Sequence, residues 1–163
     1  MQPSYKHYLK IIRNTCTGHE RPVTIPSEEL ADLARLAEDH CTVPFVLSSF
    51  RGTPFYPSML QRTRSMMLNY YQIDQFTRHT VSLLEDNGID CILLKGISLA
   101  SCYPVPEYRK LGDLDLYISR KSDISKAQKL LESHGYIAEN ELSDHHLTYH
   151  YTFPKTGRRF LLE

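Results

Sequence analysis

The sequence predicts an α+β fold: a mixed β-sheet with flanking helices, preceded by an N-terminal helical region. Three observations carry that expectation. In the first half, apolar and small residues recur at helical spacing, as in Met66, Tyr70, Ile73, Phe76, Thr80, Leu83 and Leu84. Past Asn87-Gly88 the rhythm changes to short strands alternating with helices. Finally, Gly112-Asp113-Leu114-Asp115-Leu116-Tyr117-Ile118 alternates acidic and aliphatic residues with the two-residue period of a strand.

Taken in order, Tyr5 to Asn14 carries Tyr5, Tyr8, Leu9 and Ile12 on one helical face, and Thr15 to Pro26 is a polar connector. Ser27 reads as the N-cap of a helix whose first turn holds Glu28 and Glu29 and whose buried stripe is Leu30, Leu33, Leu36 and Ala37. Thr42 to Ser58, with Pro44, Gly52, Pro54 and Pro57, reads as a break. A long helix follows from about Ser58 to Asn87, stopped by Gly88, which tolerates the left-handed conformation past a helix end. Ile89 to Leu94 is then a strand, Gly96 to Tyr103 a short helix, Pro104 to Gly112 a loop and Asp113 to Ser119 a second strand. Ser122 or Asp123 caps a helix through Ile124, Ala127, Leu130 and Leu131, stopped by Gly135. Tyr136 to Glu139 reads as an edge strand, and Leu147 to Phe153 with Arg158 to Leu162 as a hairpin that makes an otherwise parallel tendency into a mixed sheet. The expected division is 1-57 as the helical region and 58-163 as the sheet-bearing core. The core reads as truncated, because the pattern stops on a hairpin strand; the closing Leu162-Glu163 is either native or a pair added in cloning.

Composition narrows the function. With 163 residues the chain is long enough to bury a sizeable core, and 19 basic against 19 acidic residues provide no global field for a long nucleic acid or an anionic membrane. No stretch has the roughly 20 apolar residues of a membrane span, and Met1-Gln2-Pro3-Ser4-Tyr5 lacks a leader pattern, so a soluble, cytoplasmic protein is expected. Cys16, Cys41, Cys91 and Cys102 have no paired metal spacing and read as reduced core thiols.

The acidic pair is the centre of the chemistry. On a strand, Asp113 and Asp115 share one face with Cα atoms roughly 6.6 Å apart, while Leu114, Leu116 and Ile118 anchor the other. Like charges so close need a proton or a cation, and a hard divalent ion prefers such oxygens. An aspartyl-phosphate phosphatase would put a threonine at position 117, where Tyr117 stands, and a glycosyltransferase pair would close a strand rather than open one.

The order Leu93-Leu94-Lys95-Gly96-Ile97-Ser98-Leu99-Ala100, Tyr103-Pro104, Arg109 and Gly112-Asp113-Leu114-Asp115-Leu116 resembles an uncharacterised bacterial branch of the nucleotidyltransferase superfamily. That superfamily includes DNA polymerase beta, the kanamycin nucleotidyltransferases and the minimal nucleotidyltransferases. The resemblance runs from about Leu60 to the C-terminus. It implies a nucleotidyltransferase-like mixed sheet and an enzyme that moves a nucleoside monophosphate from an NTP such as ATP to an acceptor hydroxyl, releasing pyrophosphate. It further implies that Asp113 and Asp115 hold Mg²⁺ or Mn²⁺ and that a third carboxylate comes from a later strand, where Glu163 is the candidate. Gly96 would bring backbone N–H groups to the nucleotide phosphates. Lys95 departs from the usual glycine and either binds phosphate as a point charge or marks altered chemistry, and Ser98 is the nearest hydroxyl, unless it is only a cap.

Arg109 is a phosphate clamp, a surface arginine or a partner of Asp113. Tyr103 and Tyr108 read as packing residues, and His145, His146 and His150 as solvated histidines rather than a zinc site, since nothing evident completes a tetrahedral set. The acceptor is left open among protein, sugar and small molecule. A catalytically inactive nucleotide-binding or protein-interaction module on the same fold is the alternative reading.

Overall fold

The computed structural model of the chain describes residues 3–18, 23–139 and 147–163. Its contacts divide the chain into two units, Met1–Tyr70 with Ala100–Lys110 and Tyr71–Leu99 with Leu111–Glu163.

The first unit is helical. It holds α1 (Pro3–Thr17), α2 (Leu30–Asp39), α3 (Val43–Val46) and the first part of α4 (Tyr56–Glu85). Leu33, Ala37, Val46, Phe50 and Met59 bury their side chains with Tyr8 and Ile11, and the Tyr8 hydroxyl lies 2.8 Å from Thr42 Oγ1. Ser27 does not cap α2. It opens a 3₁₀ turn, Ser27–Glu29, without a side-chain capping bond, and the Glu29 N–H donates to the Pro26 carbonyl at 3.0 Å. The expected break after Thr42 contains α3 and a further 3₁₀ turn, Leu47–Phe50. Pro44 does not prevent this, because in a first turn its missing N–H has no helical partner to lose. The cysteines are free thiols but not core ones: Cys16 and Cys102 are exposed, Cys41 and Cys91 half-buried.

The second unit takes the rest of α4 and the sheet. Its strands are β1 (Cys91–Leu94), β2 (Asp115–Ile118), β3 (Ile137–Ala138), β4 (Tyr149–Thr152) and β5 (Arg159–Leu162), with α5 (Gly96–Ala100) after β1 and α6 (Ile124–Ser133) after β2. The expected parallel tendency is overturned at β1 and β2, which pair antiparallel from Cys91 opposite Ile118 to Leu94 opposite Asp115. The connection between them holds the five-residue α5 and a 3₁₀ turn, Pro106–Tyr108, and no helix long enough to serve as the crossover that parallel neighbours usually use. The parallel pairing falls instead between β2 and β5, through the bridge of Leu114 with Leu162. Leu114 N–H donates to the Leu161 carbonyl at 3.0 Å, Leu116 N–H to Glu163 at 2.8 Å, and Glu163 N–H back to Leu114 at 2.9 Å. With β4 antiparallel to both β3 and β5, this bridge joins the two-stranded sheet β1-β2 to the three-stranded sheet β3-β4-β5.

Leu84, Ile89 and Ala127 form a core on one side of β2, where Leu116 and Ile118 pack. Phe76 stacks on Phe160 at 4.9 Å between centroids, which fixes the hairpin to α4, and Tyr136 stacks on Tyr151 at 4.5 Å. Asp123 makes no capping bond to α6; a 3₁₀ turn, Lys121–Asp123, precedes the helix and the carboxylate meets Arg120 Nε at 2.9 Å. His145 and His146 lie outside the described residues, and His150 pairs with Glu139.

Candidate active site

The alternation read from Asp113 to Ile118 positions the carboxylates. Leu114 is 1% exposed and Leu116 packs into the core, so Asp113 and Asp115 project from the opposite face. β5 delivers Glu163 to the same place by the same rule: Phe160 and Leu162 are buried, which turns Arg159, Leu161 and Glu163 the other way. Its backbone is tied to β2 in both directions, by the bonds to Leu114 and Leu116. One oxygen from each of Asp113, Asp115 and Glu163 falls within 4.8 Å of the others. Asp115 is the buried member, Asp113 is half-buried and Glu163 exposed, so the cluster opens to solvent on the Glu163 side.

Lys95 closes the other side. Its ammonium donates to Asp115 Oδ1 at 3.0 Å, and that hydrogen bond, followed by the charges of Asp115, Glu163 and Asp113, pushes the lysine above its ordinary range. The left-handed backbone at this turn belongs to Lys95, with φ 40°, and not to Gly96. Gly96 begins α5, and a Cβ there would sit 3.5 Å from the Asp113 carbonyl, in ordinary contact. Protein sterics therefore do not demand a glycine at 96. The Ser98 hydroxyl donates to the Lys95 carbonyl at 2.7 Å, which braces the turn from inside α5. Arg109 belongs to the first unit, where its guanidinium donates to the Tyr103 hydroxyl at 3.1 Å and lies 5.5 Å from that ring. The structure thus brings Asp113, Asp115, Glu163, Lys95 and Gly96 together in one unit, with Ser98 behind them, and puts Arg109 in the other. Tyr117 extends the acidic face by one more step and is 54% exposed, a position that the alternation alone assigns to the margin of the site.

Three oxygen donors of like charge at this separation suit a hard divalent cation. Residues 26–163 match the family described as an uncharacterised nucleotidyltransferase, a span that includes every residue of the cluster. The chain belongs to this nucleotidyltransferase family. No curated protein and no solved structure matches it. For this nucleotidyltransferase, membership gives the general activity, transfer of a nucleotidyl group, and an NTP as the substrate class. Among the described residues no helix is long and apolar enough to cross a membrane.

Proposed function

We propose that this nucleotidyltransferase moves a nucleoside monophosphate from an NTP to an acceptor hydroxyl, with release of pyrophosphate, and that Asp113, Asp115 and Glu163 hold the Mg²⁺ or Mn²⁺ the reaction uses. The observation that supports this reading is the meeting of the three carboxylates within 4.8 Å on the sheet face of a nucleotidyltransferase family member. Bound there, a divalent ion supplies charge neutralisation at the reacting phosphate and the leaving pyrophosphate. The chain's own groups do the rest. Asp115, buried and bonded, fixes the inner wall; Glu163, exposed, is the carboxylate with access to accept the proton of an incoming hydroxyl. Gly96 and Ser98 line the turn that meets the triphosphate, and Lys95 supplies positive charge for it. The acceptor is a protein, a sugar or a small molecule.

A second reading, a nucleotide-binding or protein-interaction module without turnover, is favoured by one observation: the Lys95 ammonium already sits on Asp115. Calorimetry with NTP and Mg²⁺, joined to a pyrophosphate-release assay, separates the two, since binding without release identifies the module. For the enzyme, Asp113→Asn and Asp115→Asn are each expected to reduce release by about a hundredfold or more while circular dichroism stays unchanged. Full turnover in both variants overturns the assignment.

A further inference from the structure

Lys95 combines two features that pull against each other. Its backbone lies at φ 40°, a left-handed conformation that strains an L residue and costs glycine almost nothing. Its side chain is 70% exposed, so packing does not hold a lysine at this position. What the side chain does engage is Asp115, whose own side chain is 9% exposed, at 3.0 Å. A strained turn is thus occupied by a residue whose specific bond is made by its charged tip, and that tip rests on the most buried carboxylate of the cluster.

We propose that the Lys95 ammonium is a built-in counter-ion of the acidic cluster, which holds the carboxylates together in the metal-free protein and which a divalent cation must displace. This rests on the reading of Asp113, Asp115 and Glu163 as the metal ligands. The ammonium and a divalent cation compete for one carboxylate. Three carboxylates within 4.8 Å repel one another, and a cation relieves the repulsion. An ammonium and a divalent ion at contact distance from the same carboxylate repel each other in turn. The exposed four-carbon stem lets the ammonium leave without disturbing the core. Lys95 therefore sets the affinity for metal from below. It weakens binding and keeps the site assembled until the ion arrives.

The test is calorimetric titration of the full chain with Mn²⁺ alone, for the wild type, Lys95→Met and Lys95→Gly. Methionine keeps the stem and removes the charge; glycine removes the charge and relieves the φ 40° backbone, so at least this variant folds. Both are expected to bind Mn²⁺ about three- to tenfold more tightly than the wild type, and the thermal midpoint of Lys95→Met is expected to rise further at a fixed Mn²⁺ concentration. Wild-type binding with equal or weaker binding in both variants overturns the counter-ion role and leaves the carboxylate ligands in place. No Mn²⁺ binding in any of the three proteins overturns both.

Discussion

Tyr136 is 2% exposed, with its hydroxyl 2.8 Å from that of Thr80, and burial pushes its pKa up from 10.0 to about 12 although the Thr80 bond opposes the shift. The folded state thus keeps the phenol protonated where the unfolded chain has lost the proton. Stability from this group is complete below pH 10.0 and declines as pH rises towards about 12. The shift corresponds to about 2–3 kcal/mol, so urea midpoints for the wild type are expected to fall across this window and those of Tyr136→Phe to fall less steeply. Equal slopes in the two proteins refute it. At this scale the sequence discloses some residues and hides others. Asp113 and Asp115 were legible because a period of two needs no information beyond their neighbours. The positive φ of Lys95 was not, because the adjacent glycine is the residue that ordinarily takes that conformation.

Helix ends carry the same lesson at the level of elements. At the end of α4, Gly88 N–H donates to Glu85 at 2.8 Å and Ile89 N–H to Leu84 at 3.0 Å, with Gly88 at φ 70° and the Leu84 and Ile89 side chains both in the core. The end of α6 repeats the pattern through Gly135 and Tyr136, and that of α2 through Cys41 and Thr42, but with Cys41 at φ 54°. An added Cβ at Gly88 would meet nothing within 4 Å, so the cost of Gly88→Ala is purely conformational, about 1 kcal/mol in urea denaturation. Cys41→Gly is expected to move the other way, a gain of about 0.5 kcal/mol, since the relieved backbone outweighs a half-buried thiol. The two glycine stops were readable, for glycine after an apolar period has one common meaning. The cysteine stop and the 3₁₀ entries at Ser27 and Lys121 were not, since their residues are compatible with several local geometries and tertiary contacts choose among them. Strand direction was equally hidden: the short apolar run of β1 fixes neither its partner nor the direction in which β2 returns.

For the molecule as a whole, the decisive link is between segments far apart in sequence. Asp113 and Asp115 come from one hairpin, Glu163 from another, and the parallel bridge from Leu114 to Leu162 joins them. Glu163 could be nominated from sequence by its place at the end of a late strand, but its register against β2 depends on the burial of Leu162 and Phe160, which local pattern cannot supply. Because the three carboxylates proposed as ligands converge only in the folded chain, a cation bound to them is linked to folding. At a free Mn²⁺ concentration a hundred times its dissociation constant, the second unit is expected to gain about 2.7 kcal/mol against urea. Glu163→Gln should lose much of that increment with little effect on the metal-free midpoint, for Glu163 is exposed and its backbone bonds to Leu114 and Leu116 survive the change. Leu162→Ala should do the reverse. Leu162 is 4% exposed, so its truncation costs about 2–4 kcal/mol without metal, while the Mn²⁺ increment persists in the fraction that still folds. Were Glu163→Gln to keep the full increment, the ion would be held by the aspartates alone, and the two hairpins would meet for packing rather than for chemistry.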